Sequence, residues 1–139
     1  MDQLNGHVVA ADPDQLRQVI INLINNALEA LQAPREVAGE EPPRIVIGLN
    51  GRTVEDGADV LEIAVRDNGP GIDPDIIDRI FEPFVTNKSE GTGLGLAMSQ
   101  KSILEHGGAL IANSPSAECH GTEFVIQLPA KVMSPDAFT

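Results

Sequence analysis

The sequence has no tryptophan and no tyrosine, and only four phenylalanines. Aromatic platforms on which single-stranded nucleic acid could stack are therefore lacking. Positive charge is scarce as well: nine Lys and Arg stand against 21 Asp and Glu, for a formal net charge of −12. A duplex-binding face needs clustered basic residues and these are scattered, which argues against nucleic acid as a partner. The single Cys119 cannot close an internal disulfide, and no Cys/His spacing for zinc is present, which favours a reducing cytosol. No apolar run approaches the roughly 20 residues needed to cross a membrane. No basic amino-terminal region leads into an apolar core, so there is no sign of a secretory leader.

What remains is 139 residues, 42% of them hydrophobic. That suits one domain and a core covering about two-thirds of the unfolded surface. A short strand is expected over residues 7–11. Asp12 and Pro13 then read as a cap and first position of a helix over 13–32, with Leu16, Val19, Ile20, Leu23, Ala27, Leu28 and Leu31 at helical spacing. Residues 33–43, with three prolines and a glycine, read as a loop. Ile45, Ile47 and Leu49, then Leu61, Ile63 and Val65, alternate with smaller or polar residues. Period two predicts an antiparallel pair with one buried face. A short helix is expected over 75–81 and a longer one over 94–106, stopped by Gly107 and Gly108. Strands follow over 109–113 and 122–128. One domain over residues 1–130 and a tail over 131–139 are expected, without repeats. The fold class is α/β (α+β), a two-layer sandwich with helices on one face of a mixed, mostly antiparallel sheet.

Three stretches carry residues suited to chemistry. On the first helix Asn22, Asn26 and Glu29 fall within about 60° of one another, away from the leucine face. Asparagine is a poor helix former, and Asn22, Asn25 and Asn26 lie within five residues. An amide oxygen is a hard neutral ligand suited to magnesium, although a polar face with incidental asparagines gives the same pattern. Asp67-Asn68-Gly69-Pro70-Gly71 follows a strand directly. A carboxylate there can accept from an exocyclic amine such as that of adenine, and glycine lets a flat ring approach the backbone. A tight turn with a locally bonded Asp is the competing reading. Gly91-Thr92-Gly93-Leu94-Gly95 opens a helix whose N–H groups and positive dipole end suit phosphate, with Lys88 just upstream. The segment is neither a dinucleotide fingerprint nor a P-loop, and a flexible linker would also account for it.

Taken in order, these stretches resemble the GHKL superfamily of ATP-binding proteins. Its members include sensor histidine kinases, gyrase-type ATPases, chaperones of the heat-shock-90 class and mismatch-repair proteins. QVIINLINNALEAL resembles the N box, VRDNGPGI the first Gly box, IFEPF the F box and GTGLGLAMSQKSILEHGG the second Gly box. GTEFVIQLP is similar to the end of a histidine-kinase catalytic domain, and PFVTNK before GTGLGL to the nitrogen-regulatory and oxygen-sensing kinases.

The resemblance implies a Bergerat-type fold with ATP and Mg2+ as cofactors. It makes Asn26 the metal ligand and Asn22 its catalytic neighbour, with Asp67 receiving the adenine amine and Gly69, Gly71 and Ile72 shaping the pocket. Phe81 and Phe84 would anchor a lid hinge. Lys88, Gly91, Thr92, Gly93, Leu94 and Gly95 would form the phosphate side, and Thr122 a water-bridged adenine contact. Because ATP is an anion and the chain is acidic, binding must rest on such local devices.

Hydrolysing relatives place a Glu four residues before the metal Asn as general base. Here that position is Asn22, whose amide cannot take up a proton. Glu29 stands where many histidine kinases carry Lys, as also happens in the subgroup named. None of His7, His106 and His120 is followed by the acidic residue of a phosphoacceptor motif, and each reads as a loop or strand histidine. The expectation is a cytoplasmic, monomeric catalytic fragment of a longer kinase, a parent compatible with membrane anchoring. It would act on a histidine-bearing dimerisation domain, with a response regulator downstream and no membrane contact of its own. A hydrolytic protein clamp, a stand-alone serine kinase regulating a transcription factor and a nucleotide-free interaction module are the alternatives.

Overall fold

A computed structural model describes residues 7–32, 42–85, 94–115 and 121–132. Its elements run β1 (His7–Val9), α1 (Pro13–Leu31), β2 (Ile45–Thr53), β3 (Asp59–Asp67), α2 (Gly95–Glu105), β4 (Ala109–Asn113) and β5 (Thr122–Val132). α1 begins as the sequence predicts. The Asp12 carboxylate accepts from the backbone N–H groups of Asp14 at 2.9 Å and Gln15 at 3.2 Å, and proline follows at once. Its buried stripe is Val19, Leu23 and Ala27.

Every strand pairing among the described residues is antiparallel. β5 is the spine. It pairs along one side with β3, from Asp67↔Thr122 to Asp59↔Ala130, and along the other with β4 and then β1. Among the described residues β2 pairs only with β3 and forms the edge. Because side chains alternate, Ile63, Val65, Phe124, Ile126, Leu128 and Leu110 face the helices and join Val19, Leu23, Ala27 and Ile103 in one core. The opposite face is solvated and polar. There Arg66 pairs with Glu123, Arg52 with Glu62 at 3.2 Å, and Gln127 donates to Glu62 at 2.7 Å. No helix among the described residues is long and apolar enough to cross a membrane.

Four expectations are corrected here. Ile47 and Leu49 point to the helix side yet are 52% and 55% exposed, because the helical layer stops short of the edge strand. The helix expected over 75–81 is a single 3₁₀ turn at Ile77–Arg79, with three-residue hydrogen bonds such as Arg79 N–H to the Ile76 carbonyl at 2.8 Å. β5 runs on to Val132 rather than stopping near Leu128, because β1 supplies a partner for its last residues. Finally, His106 is neither a loop nor a strand histidine. It caps α2, and Gly107 follows in the left-handed region at φ 77°.

The His106 ring also ties the two helices together. Nε2 accepts the Asp12 backbone N–H at 3.0 Å, so the ring proton sits on Nδ1, 2.7 Å from the Ser102 carbonyl. His106→Ala removes both contacts. A loss of about 1–2 kcal/mol is expected, read as a lower urea midpoint at unchanged slope.

Candidate functional site

α1 and α2 lie antiparallel on the same sheet face, joined by polar contacts that step along both. Asp12 meets His106, the Ser102 hydroxyl reaches Gln15 Oε1 at 3.4 Å, and the Asn22 amide donates to the Ser99 hydroxyl at 3.2 Å. With Asn22 level with Ser99, Asn26 one turn further along α1 comes level with the amino end of α2 at Gly95. Leu94 precedes that helix without a side-chain cap. The helix end that presents N–H groups thus lies beside the asparagine stripe.

The end of β3 closes the site from the sheet. Asp67 is 4% exposed, and its Oδ1 accepts the Gly69 N–H at 2.9 Å. A Cβ on Gly69 would lie 3.0 Å from that carboxylate and 3.1 Å from the Ala30 carbonyl, so the glycine sits between Asp67 and the last turn of α1. Ala30 lies one turn beyond Asn26 on the same helix face. Thr122, also 4% exposed, is the cross-strand partner of Asp67. Gly121 comes closer still: a Cβ there would stand 2.1 Å from the Asp67 carbonyl oxygen. Gly69 and Gly121 thus bring Asp67, Thr122 and the last turn of α1 close together.

Gly71, at φ 84°, and the half-buried Ile72 continue the loop after Asp67. Ile72 and Phe81 both pack on the core, and Phe81 meets Phe124 edge-on with ring centroids 6.4 Å apart. Phe84 does not anchor by packing: it is 74% exposed, with φ 69°. Leu94 and Gly95 stand at the entry to α2, while Lys88, Gly91, Thr92 and Gly93 lie outside the described residues.

Two residues that sequence reasoning passed over belong to this neighbourhood. The Ser114 hydroxyl accepts the Ile72 N–H at 2.7 Å, lies 3.3 Å from the Gly121 carbonyl and 3.4 Å from the Thr122 hydroxyl, and so ties the first glycine loop to β5. Its signal was the hairpin register. Asn113 faces Glu123, which sets Ser114 opposite Thr122. Asn68 accepts the Arg44 N–H at 2.7 Å and donates to the Pro42 carbonyl at 2.9 Å, so it fastens the chain entering β2 to the end of β3.

Among the described residues no group of three or more His, Cys, Asp or Glu side chains could hold a metal. The Asn26 side chain carries a neutral amide oxygen, a hard donor by type.

Residues 11–132 match the family of histidine kinase-, DNA gyrase B- and HSP90-like ATPases. The sensor histidine kinase ZraS of Salmonella typhimurium is 40% identical over 121 residues, which cover 87% of this chain and 23% of ZraS. The sensory histidine kinase/phosphatase NtrB of Rhizobium meliloti is 41% identical over 126 residues, covering 88% of this chain and 32% of NtrB. Among solved structures, full-length ShkA in complex with AMPPNP superimposes with a TM-score of 0.61 at 29% identity, over 91% of this chain and 24% of that one. The chain spans about a quarter to a third of the length of these curated relatives. It belongs to the histidine kinase-, DNA gyrase B- and HSP90-like ATPase family.

Proposed function

We propose that this chain is the catalytic and ATP-binding domain of a sensor histidine kinase of the nitrogen-regulatory type, in which a magnesium–ATP complex is held between α1, the end of β3 and the start of α2. The observation that carries this reading is the buried Asp67 carboxylate, aligned with Thr122 across the sheet and separated from the last turn of α1 only by Gly69. Such a carboxylate is acceptor-only and suits the exocyclic amine of adenine rather than the carbonyl that guanine carries there. Thr122 offers a hydroxyl for a bridging water. Ile72 and Gly71 line the purine, Phe81 fixes the loop beyond, and Leu94 and Gly95 turn backbone N–H groups toward phosphate. By the motif they resemble, Lys88, Gly91, Thr92 and Gly93 would serve the phosphate side.

The Asn26 amide oxygen would hold magnesium, which neutralises phosphate charge when bound. The protein's own part is to position: it fixes the purine by Asp67 and the polyphosphate by Asn26 and the α2 amino end, leaving the terminal phosphoryl group for an incoming nucleophile. Asn22 stands where a hydrolysing relative would place a general base, and its amide takes up no proton, so transfer to a better nucleophile is favoured over hydrolysis. That nucleophile is a histidine on the dimerisation domain of the parent kinase, with a response regulator receiver domain downstream, in the cytoplasm. The similarity to NtrB and ZraS supports this assignment, as does the ATP analogue AMPPNP in the structure of ShkA.

Calorimetric titration with ATP tests the proposal, followed by phosphoryl transfer to a supplied histidine-bearing helical hairpin. Saturable binding that strengthens with magnesium is expected. Asn26→Ala should leave magnesium-free binding unchanged and erase most of the gain that magnesium brings. Failure of the wild-type chain to bind ATP at millimolar concentration would overturn the reading.

A further inference from the structure

Ser99 is the most deeply buried polar residue among those described, at 1% exposure, and it sits in the middle of α2. Serine is a mediocre helix former, and a helix surface facing the core ordinarily carries an apolar residue there. A buried hydroxyl must find a partner, and this one finds it on the neighbouring helix, where the Asn22 amide donates to Ser99 Oγ at 3.2 Å. The other end of the same amide is also occupied: Asn22 Oδ1 accepts from Gln18 Nε2 at 3.3 Å, one turn back on α1. Asn22 is thereby gripped at both ends, once from its own helix and once from α2.

This contact constrains more than Asn22. Asn22 and Asn26 are one turn apart on the same stripe, so a bond that fixes the azimuth of the first fixes that of the second. It also sets the separation of α1 from α2 at the level just before the amino end of α2. Two further bridges between these helices, Gln15–Ser102 and Asp12–His106, lie toward the opposite end, so the Asn22–Ser99 bond is nearer Asn26 than either of them. From this arrangement we infer that Ser99 is a positioning residue: through Asn22 it aims Asn26 and holds the asparagine stripe in register with the phosphate-side helix end. The functional half of the inference rests on the nucleotide reading above.

Ser99→Ala tests it in the intact chain. Loss of one part-buried hydrogen bond is worth roughly a threefold to tenfold weakening of Mg–ATP binding. Affinity for ATP in EDTA should stay within about twofold, because the adenine contacts at Asp67 and Thr122 are remote from this bond. Asn22→Ala should produce the same selective loss, and the double variant should be no worse than Asn22→Ala alone. In the apo protein the side-chain amide resonances of Asn22 should shift and exchange faster with solvent in Ser99→Ala. Ser99→Thr, which keeps the hydroxyl, should restore the magnesium-dependent affinity at least in part.

Equal losses with and without magnesium, or full additivity with Asn22→Ala, would show that Ser99 only packs. Unchanged Asn22 amide resonances would remove the contact itself. A wild-type chain blind to ATP would instead sink the nucleotide reading and the functional half of this inference, while the resonances still decide whether Ser99 holds Asn22.

Discussion

Asp67→Asn is expected to lower affinity for ATP by about tenfold to 150-fold while the protein stays folded. The range follows from losing a hydrogen bond to a charged acceptor, roughly 1.5–3 kcal/mol. The substitution is nearly isosteric, and the amide oxygen can still accept the Gly69 N–H that Oδ1 now takes at 2.9 Å. What changes is the edge turned to the purine, where an NH2 group would face the adenine amine, donor against donor. The same NH2 can donate to the carbonyl oxygen of guanine. The ratio of ATP to GTP affinity should therefore fall further than either affinity alone suggests. Calorimetry with both nucleotides measures that ratio, and thermal melting without nucleotide reports the fold, with an expected cost of about 1 kcal/mol. ATP affinity equal to wild type would mean that the carboxylate does not face the base, whatever else it does.

The parts of this site that were legible in the sequence are those where a residue type is costly unless it is used. Asn22 and Asn26 stand in the middle of a helix that would be more stable with almost any long side chain. Asp67 ends a strand with a charge that the fold then buries. Such residues announce themselves without a partner in view. The hydroxyls and the imidazole that organise the site do not, because their roles are set by atoms far away along the chain. Ser99 depends on Asn22, Ser114 on Ile72, and His106 on Asp12. A serine in a helix or before a proline is locally unremarkable, and only the tertiary register shows what it touches.

The same distinction explains the fold. Alternation in β2 and β3 correctly gives the face each side chain points to, since the pleat is a local property. It cannot say how far the helical layer reaches, so Ile47 and Leu49 share a face with the core residues Ile63 and Val65 and remain half-exposed. The last residues of β5 carry a proline and a lysine and lie beyond the strand expected over 122–128. They become strand because β1, more than 120 residues earlier, offers a hydrogen-bonding edge. Composition announces an element only when its stability is local.

Gly121→Ala is expected to have a large effect on stability, for a reason that also concerns the site. The Cβ would stand 2.1 Å from the carbonyl oxygen of Asp67 and 2.8 Å from both its carbonyl carbon and Oδ1. Two of these are backbone atoms at the end of β3, so no side chain can rotate out of the way. Relief requires the ends of β3 and β5 to part where Asp67 pairs with Thr122. A cost of about 3 kcal/mol is expected, or a fall in melting temperature of roughly 10 °C. Gly95→Ala is the natural contrast, because a Cβ there meets nothing within 4 Å and the position is already helical. Its melting temperature should stay the same or rise slightly. Since parting the strands separates Asp67 from Thr122, Gly121→Ala should also lose most of its ATP affinity at temperatures where it is still folded. That second loss distinguishes a displaced binding wall from a general weakening of the sheet. A variant that melts within about a degree of wild type and binds ATP normally would show that β3 and β5 are not in such close contact beside the proposed purine site.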